Sequence, residues 1–405
     1  MNYNEALDYI FGLPKFSYPL GNENLSKLLS VLGSPQKDLK FIHIAGTNGK
    51  GSAAAMLASV LEKSGYKTGL FTSPFIRRFN ERIQINSVQI PDSELAAVVR
   101  TVSAASTGAK VSQFAFILAC AFVYYSREKC DFVVLEAGLG GRLDATNVIE
   151  ESVLSVIMSV SLDHTEYLGS TVAEIAAEKS GIIKDGGRVV VYRNSEEADS
   201  VIKAACAEKS AKYIKAPPAE KTESGFRALG RDYTLSLGGG YQAGNAAVVL
   251  AAVEEMRKMG IEISEKALVE GFANCRWQGR FERVRDNVIV DGGHNPDGLR
   301  ALCDSIAKLD GRKTAVVAMM EDKAVGECLD VLCRHFDKII ATELEMPRCM
   351  RAGKLAGLAA ERGTQVELVP DLNKAFAMAE DNTDGLSVVC GSIFLAGRAL
   401  EYFYT

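Results

Sequence analysis

A glycine-rich segment, GTNGKGS at 46–52, carries the strongest chemical signal in the sequence. It directly follows an apolar run typical of a buried strand, and it precedes a segment with helical spacing. Glycines let backbone N–H groups turn inward onto a phosphate, and a helix N-terminus adds positive potential. Lys50 can then reach the β- and γ-phosphates of a nucleotide, and Ser52 stands where a hydroxyl would ligate Mg²⁺. The glycine spacing is shorter than in a strict Walker A motif, so a plain glycine-rich turn is the alternative, but the added Lys-Gly-Ser favours phosphate binding.

An acid and a histidine follow two further apolar runs. Glu136 ends the run DFVVLEAG and is followed by a second glycine-rich segment. A buried carboxylate is costly unless a cation or metal pairs with it, although a satisfied buried glutamate stays an equal alternative. His164 follows another strand candidate, and a lone histidine is more often structural than a ligand. Its expected position on the same sheet edge as Glu136 and Lys50 favours a metal ligand.

Four other residues attract attention for their chemistry. Asp291 and His294, in the sequence DGGHNP, follow a strand candidate in the C-terminal part of the chain, which suits binding of a ribose or a base edge. An Asx-type turn is the alternative. Arg280 can reach a phosphate. Lys179 follows a capping-box pattern that begins at Thr171, and composition alone predicts an ordinary surface lysine there.

The elements that must position these residues alternate between short apolar strands and helices. This pattern predicts an α/β fold, with a parallel sheet wrapped by helices, and ligands bind at the carboxyl ends of the strands in such sheets. A polar, hairpin-like stretch covers 215–237, and the α/β alternation restarts after Trp277. We therefore expect two domains, 1–277 and 278–405, the second a smaller Rossmann-like α/β domain.

Composition excludes several classes of function. The 405 residues are 47% hydrophobic and 24% charged, as in soluble globular proteins, and the net charge of −5 disfavours nucleic-acid binding. The sequence has no apolar run of the ~18–20 residues that a membrane span requires. The nine cysteines are scattered without a CxxC pair, which predicts reduced thiols. These features predict a cytoplasmic protein with neither a membrane nor a nucleic-acid partner.

Eight segments occur in an order that identifies a family resemblance. The segments are GTNGKGS, TSPF followed by ERI, LEAGLGGRLDATN, LDHTEYLG, EKSGI, WQGRFE, DGGHNP and MEDK. From about Asn2 to Arg398 the chain resembles the folylpolyglutamate synthase / dihydrofolate synthase family, a branch of the Mur ligases. The resemblance implies that ATP phosphorylates an acceptor carboxylate, and that the amino group of L-glutamate attacks the acyl phosphate. Dihydropteroate and folyl(poly)glutamates are the implied acceptors.

The resemblance also implies roles for individual residues and for the two domains. Residues 1–277 would form a P-loop-type, ATP- and folate-binding domain, and 278–405 a glutamate-ligase domain, in a monomer. The implied catalytic residues are Lys50, Glu136, His164 and Lys179, with Lys179 carbamylated. The implied ligands of Mg²⁺, present as two ions, are Ser52, Ser73, Glu136 and His164. The implied nucleotide contacts are Gly46, Thr47, Asn48, Gly49, Lys50, Gly51, Ser52, Asn245, Arg280, Asp291 and His294. The implied contacts with the pterin are Phe114, Asp144 and Ala145.

Several positions depart from the family's usual pattern. They are Phe75 for histidine, Ala115 for glutamate, Tyr241 for histidine, Gly293 for alanine and Ala324 for aspartate. None removes a residue of the phosphate loop or of the implied metal site, so they bear on substrate range and rate. Two alternatives stay open: a related ligase with another acceptor, such as a peptidoglycan precursor, and a nucleotide-binding paralogue without ligase activity. The sequence does not choose between dihydrofolate synthesis and polyglutamylation.

Overall fold

A computed structural model describes residues 1–15, 21–106, 110–383 and 385–405. The chain divides into two compact units. The first contains Met1–Ser236 and Ala243–Cys275, and the second contains Leu237–Gln242 and Arg276–Thr405. The short segment Leu237–Gln242 therefore belongs to the second unit although it lies between parts of the first, an arrangement that the sequence pattern did not indicate.

The first unit is built from ten helices and eleven strands within the described residues. Its helices are α1 (Tyr3–Phe11), α2 (Glu23–Val31), α3 (Lys50–Lys63), α4 (Asp92–Ala105), α5 (Gln113–Arg127), α6 (Thr165–Leu168), α7 (Val172–Ser180), α8 (Glu196–Glu208), α9 (Gln242–Lys258) and α10 (Glu265–Asn274). Its strands are β1 (Phe41–Ala45), β2 (Thr68–Phe71), β3 (Ile83–Ile85), β4 (Val88–Gln89), β5 (Phe132–Glu136), β6 (Leu154–Ile157), β7 (Arg188–Val191), β8 (Lys212–Lys215), β9 (Ala219–Lys221), β10 (Gly225–Ala228) and β11 (Arg231–Thr234).

The predicted parallel sheet is confirmed. Eight strands follow the order β4-β3-β2-β5-β1-β6-β7-β8, and all neighbours from β2 to β8 are parallel. Every residue of β1 and β5 is buried, as expected for strands covered by helices on both faces. The predicted hairpin-like stretch forms a separate antiparallel sheet with the order β11-β10-β9.

This strand order places four motifs at one edge of the sheet. The strands β2, β5, β1 and β6 are adjacent and parallel, so their carboxyl ends lie side by side. Ser73 follows β2, Glu136 ends β5, the phosphate loop follows β1, and His164 comes after β6. The expectation that polar residues after separate strands share one edge is therefore confirmed.

Helix packing fixes the helix that follows the phosphate loop. The buried face of α3 is rich in small residues, and α3 lies directly against α10. A Cβ atom on Gly271 would come within 2.5 Å of Val60, so glycine is required for this close approach. The Ser59 hydroxyl also donates to the Gly271 carbonyl at 2.9 Å.

Among the described residues, no helix combines the length and the apolar character needed to cross a bilayer.

The second unit has one six-stranded sheet with the order β12-β13-β17-β14-β15-β16. Its strands are β12 (Glu282–Arg285), β13 (Val288–Val290), β14 (Arg312–Val317), β15 (Lys338–Ala341), β16 (Gln365–Leu368) and β17 (Gly385–Cys390). Its helices are α11 (Pro296–Ile306), α12 (Val325–His335), α13 (Ala352–Ala360), α14 (Leu372–Glu380) and α15 (Ile393–Tyr404). All pairs are parallel except β12 with β13. The predicted α/β alternation is confirmed, and β12 is an additional edge strand formed by a polar segment.

Candidate active site

The phosphate loop has a backbone that only glycine can adopt at two positions. Gly46 has φ of +154° and Gly49 has φ of +84°, which L-residues rarely adopt. A Cβ atom on Gly46 would lie 2.6 Å from Cβ of Met158, and one on Gly49 would lie 2.4 Å from Oδ1 of Asn245. The glycines therefore serve both the turn and the close packing of the loop, and Asn245 of α9 lies directly against the loop.

Hydrogen bonds fasten the loop to the segment after β6. The backbone N–H of Thr47 donates to the Ser159 carbonyl at 2.6 Å, and the Thr47 hydroxyl donates to the Ser161 carbonyl at 3.0 Å. The Asn48 N–H donates to the Ser159 hydroxyl at 3.3 Å. The Lys50 ammonium group donates to the carbonyls of Gly46 and Thr47, at 3.1 and 3.2 Å. The cation is thus held over its own loop, at the N-terminus of α3.

Glu136 and Ser73 are in direct contact. The Glu136 side chain is buried, and its Oε2 accepts a hydrogen bond from the Ser73 N–H at 3.0 Å. Ser52, in the first turn of α3, is also buried at 3% exposure. His164 lies on the same edge but is more open, and its Nε2 is 3.8 Å from Oδ1 of Asp163. His164 also has φ of +51°, an uncommon conformation for a residue with a Cβ atom.

A half-buried arginine that the sequence reasoning did not single out lies near Glu136. The Arg82 guanidinium is stacked near the rings of Phe75 and Phe79, 5.5 and 5.8 Å from their centroids. Its Nε and Nη1 atoms are buried without a hydrogen-bond partner in the described part of the chain. Burial lowers the pKa of Arg82 to about 10, opposed by attraction to the Glu136 carboxylate. The ring of Phe75, one of the departures from the family pattern, therefore packs against the guanidinium of this arginine.

Lys179 is buried, so the prediction of a surface lysine from composition is wrong. It lies in the last turn of α7, whose N-terminus carries the predicted capping box at Thr171, and its exposure is 2%. The loop after β5 covers this turn closely: a Cβ atom on Gly181 would come within 2.4 Å of Arg142. Burial, with a smaller contribution from the charge of Lys50, lowers the pKa of Lys179 to about 7. The side chain therefore loses its proton much more readily than an ordinary lysine.

Two of the expected pterin contacts lie on the loop after β5, and the third lies against it. Asp144 is buried, and its carboxylate accepts hydrogen bonds from the N–H groups of Leu139 and Thr146 at 2.8 and 2.9 Å. Burial nevertheless raises the pKa of Asp144. Ala145 follows it at the start of a single 3₁₀ turn. The ring of Phe114 lies over Gly138, because a Cβ atom there would meet it at 2.8 Å.

The remaining expected site residues belong to the second unit. Asp291, just past β13, is buried and accepts hydrogen bonds from the Phe281 and Gly293 N–H groups at 2.8 and 2.7 Å. The Arg280 guanidinium lies 2.9 Å from the position that a Cβ atom on Gly292 would occupy, and Nδ1 of His294 is 3.0 Å from the Gly292 carbonyl.

Tyr241, another departure from the family pattern, has a structural partner. Its hydroxyl donates to Oδ2 of Asp291 at 2.6 Å, and burial raises the pKa of Tyr241 well above its ordinary value. Tyr241 lies in the segment that joins the second unit out of sequence order. Tyr241 and Asp291 are far apart in the sequence, which explains why the local residue pattern did not reveal their contact.

Two known domain families and several known proteins are similar to this chain. Residues 44–253 match the Mur ligase middle domain, and residues 279–393 match the Mur ligase, glutamate ligase domain. The folylpolyglutamate synthase of Lacticaseibacillus casei is 34% identical over 99% of this chain and 98% of its own length. The dihydrofolate synthase/folylpolyglutamate synthase of Bacillus subtilis is 33% identical over 97% of both chains.

Solved structures show the same similarity. Escherichia coli FolC in complex with DHPP and ADP has a TM-score of 0.90 with 29% identity, over 99% of this chain and 97% of that one. The bifunctional folylpolyglutamate synthase/dihydrofolate synthase of Yersinia pestis, complexed with AMPPNP and Mn ion, also has a TM-score of 0.90, with 28% identity over 100% of this chain and 98% of that one.

Proposed function

Because the chain belongs to the folylpolyglutamate synthase / dihydrofolate synthase family of Mur ligases, it is an ATP-dependent ligase, and we propose that it joins L-glutamate to dihydropteroate or to folyl(poly)glutamates. An oxygen of the acceptor carboxylate attacks the γ-phosphorus of ATP, and ADP leaves. The amino group of glutamate then attacks the acyl phosphate, an amide forms, and phosphate leaves with that carboxylate oxygen.

One observation supports this proposal most directly: the phosphate loop, the buried Glu136 and His164 follow adjacent parallel strands and share one sheet edge. Phosphoryl transfer depends on positioning and on neutralising charge, and little covalent chemistry is left to the protein. Lys50 is held over the loop where it neutralises phosphate charge. The N–H groups at the start of α3 serve the same purpose through the helix dipole.

Divalent metal fits this edge. Among the described residues, no group of three or more His, Cys, Asp or Glu side chains is arranged so that it could hold a metal ion. Mg²⁺ needs no such group, because it is bound by one or two carboxylates together with substrate phosphates and water. We propose that Mg²⁺ binds as two ions, and that the residues that hold it are Ser52, Ser73, Glu136 and His164. A bound Mg²⁺ would act as a Lewis acid that lowers the charge on the phosphates.

Lys179 is proposed as a carbamylated residue. A buried amine with a pKa of about 7 is partly unprotonated at neutral pH, and only the free amine reacts with carbon dioxide. Carbamylation would replace a buried cation by an anion that can help to hold a metal. The proximity of Lys50 supports this, since its charge is among the causes that lower the pKa of Lys179.

The remaining roles follow the division into domains. We propose that residues 1–277 bind ATP and the pterin, and that 278–405 form the glutamate-ligase domain. Phe114, Asp144 and Ala145 contact the pterin, and their placement on and against one loop supports this role. Residues Gly46–Ser52 and Asn245 contact the nucleotide in the first unit. Arg280, Asp291 and His294 contribute nucleotide contacts from the second unit.

Mass spectrometry of reaction products tests the function and separates its variants. The protein is incubated with Mg-ATP, L-glutamate and either dihydropteroate or tetrahydrofolate, and Lys50→Met serves as the matched inactive control. Addition of one glutamyl unit to dihydropteroate identifies the synthase step, and addition to tetrahydrofolate identifies polyglutamylation. If ATP binds but neither acceptor gains glutamate, the proposal is wrong, and UDP-linked muramyl acceptors become the next substrates to test.

A further inference from the structure

A histidine buried in the central strand is not explained by the proposed reaction. His43 lies in β1, shortly before the phosphate loop, and has no exposed surface. Its Nε2 is 2.8 Å from the Thr146 hydroxyl, and its Nδ1 is buried without a partner in the part of the chain that the structure describes. Burial lowers the pKa of His43 to about 3, so the ring is neutral. A leucine or phenylalanine would fill a purely apolar position without leaving a polar atom unpaired.

The hydrogen bonds around Thr146 define which ring nitrogen carries the proton. The Thr146 hydroxyl lies 2.5 Å from Oδ1 of Asp144, which also accepts the Thr146 N–H. Both Asp144 oxygens accept backbone N–H groups, Oδ1 from Thr146 and Oδ2 from Leu139, and the Thr146 hydroxyl donates to Oδ1. The hydroxyl oxygen must then accept from His43, which places the ring proton on Nε2. The opposite tautomer would withdraw a hydrogen bond from Asp144 and would bury an N–H donor without an acceptor.

We propose that His43 is a positioning residue that orients Asp144, through Thr146, for binding of the pterin acceptor. This inference rests on the proposed role of Asp144. His43 and Thr146 are distant in sequence, and their contact joins the loop after β5 to the strand that ends in the phosphate loop. The group that binds the acceptor and the group that binds the nucleotide are therefore fixed to one central strand. The distance between the two substrates is set by this rigid connection.

Steady-state kinetics with three variants test the connection. Thr146→Val removes the hydroxyl and keeps the shape, His43→Leu removes the donor, and His43→Gln keeps an N–H donor close to the position of Nε2. We expect Thr146→Val and His43→Leu to raise KM for the acceptor about tenfold, because the first removes the hydroxyl that donates to Asp144 and the second removes the group that orients this hydroxyl. His43→Gln keeps a donor to the hydroxyl and should raise KM by no more than about twofold. KM for ATP should stay unchanged in all three. A purely structural role predicts instead that acceptor and ATP KM respond alike, or that His43→Gln rescues nothing, and either result overturns the proposal.

A buried hydroxyl elsewhere supplies the matched control. Ser59→Ala removes a buried hydroxyl that donates to the Gly271 carbonyl at 2.9 Å, away from the loop after β5. It should lower the melting temperature to a similar extent as Thr146→Val while leaving acceptor KM unchanged. A rise in acceptor KM equal to that of Thr146→Val would show that general destabilisation is the cause, and would overturn the proposal.

NMR of the ring nitrogens tests the inference without enzyme activity. The chain has 4 histidines, so single variants assign each signal. We expect ¹⁵N shifts of wild-type His43 that correspond to a neutral ring protonated on Nε2 from pH 5 to pH 8. The Nδ1–H tautomer would contradict the hydrogen-bonded relay from His43 through Thr146 to Asp144, whichever reaction the protein catalyses. If the wild type makes no glutamylated folate while His43 shows the expected tautomer, the proposed function fails, and the hydrogen-bonded relay stands without its role in acceptor binding.

Discussion

Lys179→Met should inactivate the enzyme and stabilise its fold. Lys179 is 2% exposed, and burial lowers its pKa from 10.5 to about 7. The unfolded chain therefore binds more protons than the folded chain between these two pH values. Burial of the charged amine lowers the free energy of unfolding by its full amount below pH 7, and this cost disappears above pH 10.5. With about 1.4 kcal/mol for each pKa unit, this cost is about 4 kcal/mol at pH 7 and about 2 kcal/mol at pH 9. Methionine has a similar shape and no charge, so it avoids this cost.

Urea unfolding at pH 7 and pH 9, in buffer free of carbon dioxide, measures the effect. The difference in unfolding free energy between Lys179→Met and the wild type should be larger at pH 7 by about 2 kcal/mol. Comparison across pH cancels any change in packing, which is the same at both values. Lys63→Met, at an exposed lysine in α3, is the control and should show no such pH dependence. A difference that is equal at both pH values would refute the assignment of Lys179 as a buried, destabilising amine.

Three further perturbations test separate parts of the account. Gly49→Ala should raise KM for ATP at least about tenfold, because its φ of +84° and the nearby Asn245 leave no room for a methyl group; ATP titration of the variant checks this. Tyr241→Phe should lower the melting temperature by a few degrees, since Asp291 loses a hydrogen bond, at a cost of about 1–3 kcal/mol. Thr171→Ala should destabilise the protein by about 1 kcal/mol through loss of the α7 cap, with kcat unchanged when assayed well below the melting temperature.

Much of the fold was accessible from the sequence because its signals are local. The buried strands of a parallel sheet are continuous apolar runs, and the cap of α7 and the glycine-rich turn after β1 have recognisable residue patterns. The parallel strand order then brings Ser73, Glu136 and His164 to one edge. The comparisons confirm the predicted family, fold class and reaction class. The roles of individual residues stay predictions.

The sequence failed where burial depends on distant segments. Lys179 has the pattern of a surface lysine, and it is buried because Gly141 and Gly181 let the loop after β5 pack onto the end of α7. The Tyr241 contact with Asp291 depends on a segment that crosses into the second unit. Neither arrangement leaves a periodic signal, so the local residue pattern does not reveal them; for Lys179 only the family resemblance indicated a place in the site.

Transfer of isotopic oxygen tests the central claim most directly. The acceptor carboxylate is labelled with ¹⁸O, and the protein is supplied with Mg-ATP and L-glutamate. Attack of that carboxylate on the γ-phosphorus predicts that each amide formed releases one phosphate that carries one ¹⁸O atom. Amide formation with unlabelled phosphate would contradict the acyl phosphate, and ATP binding without any amide would contradict ligase activity toward that acceptor.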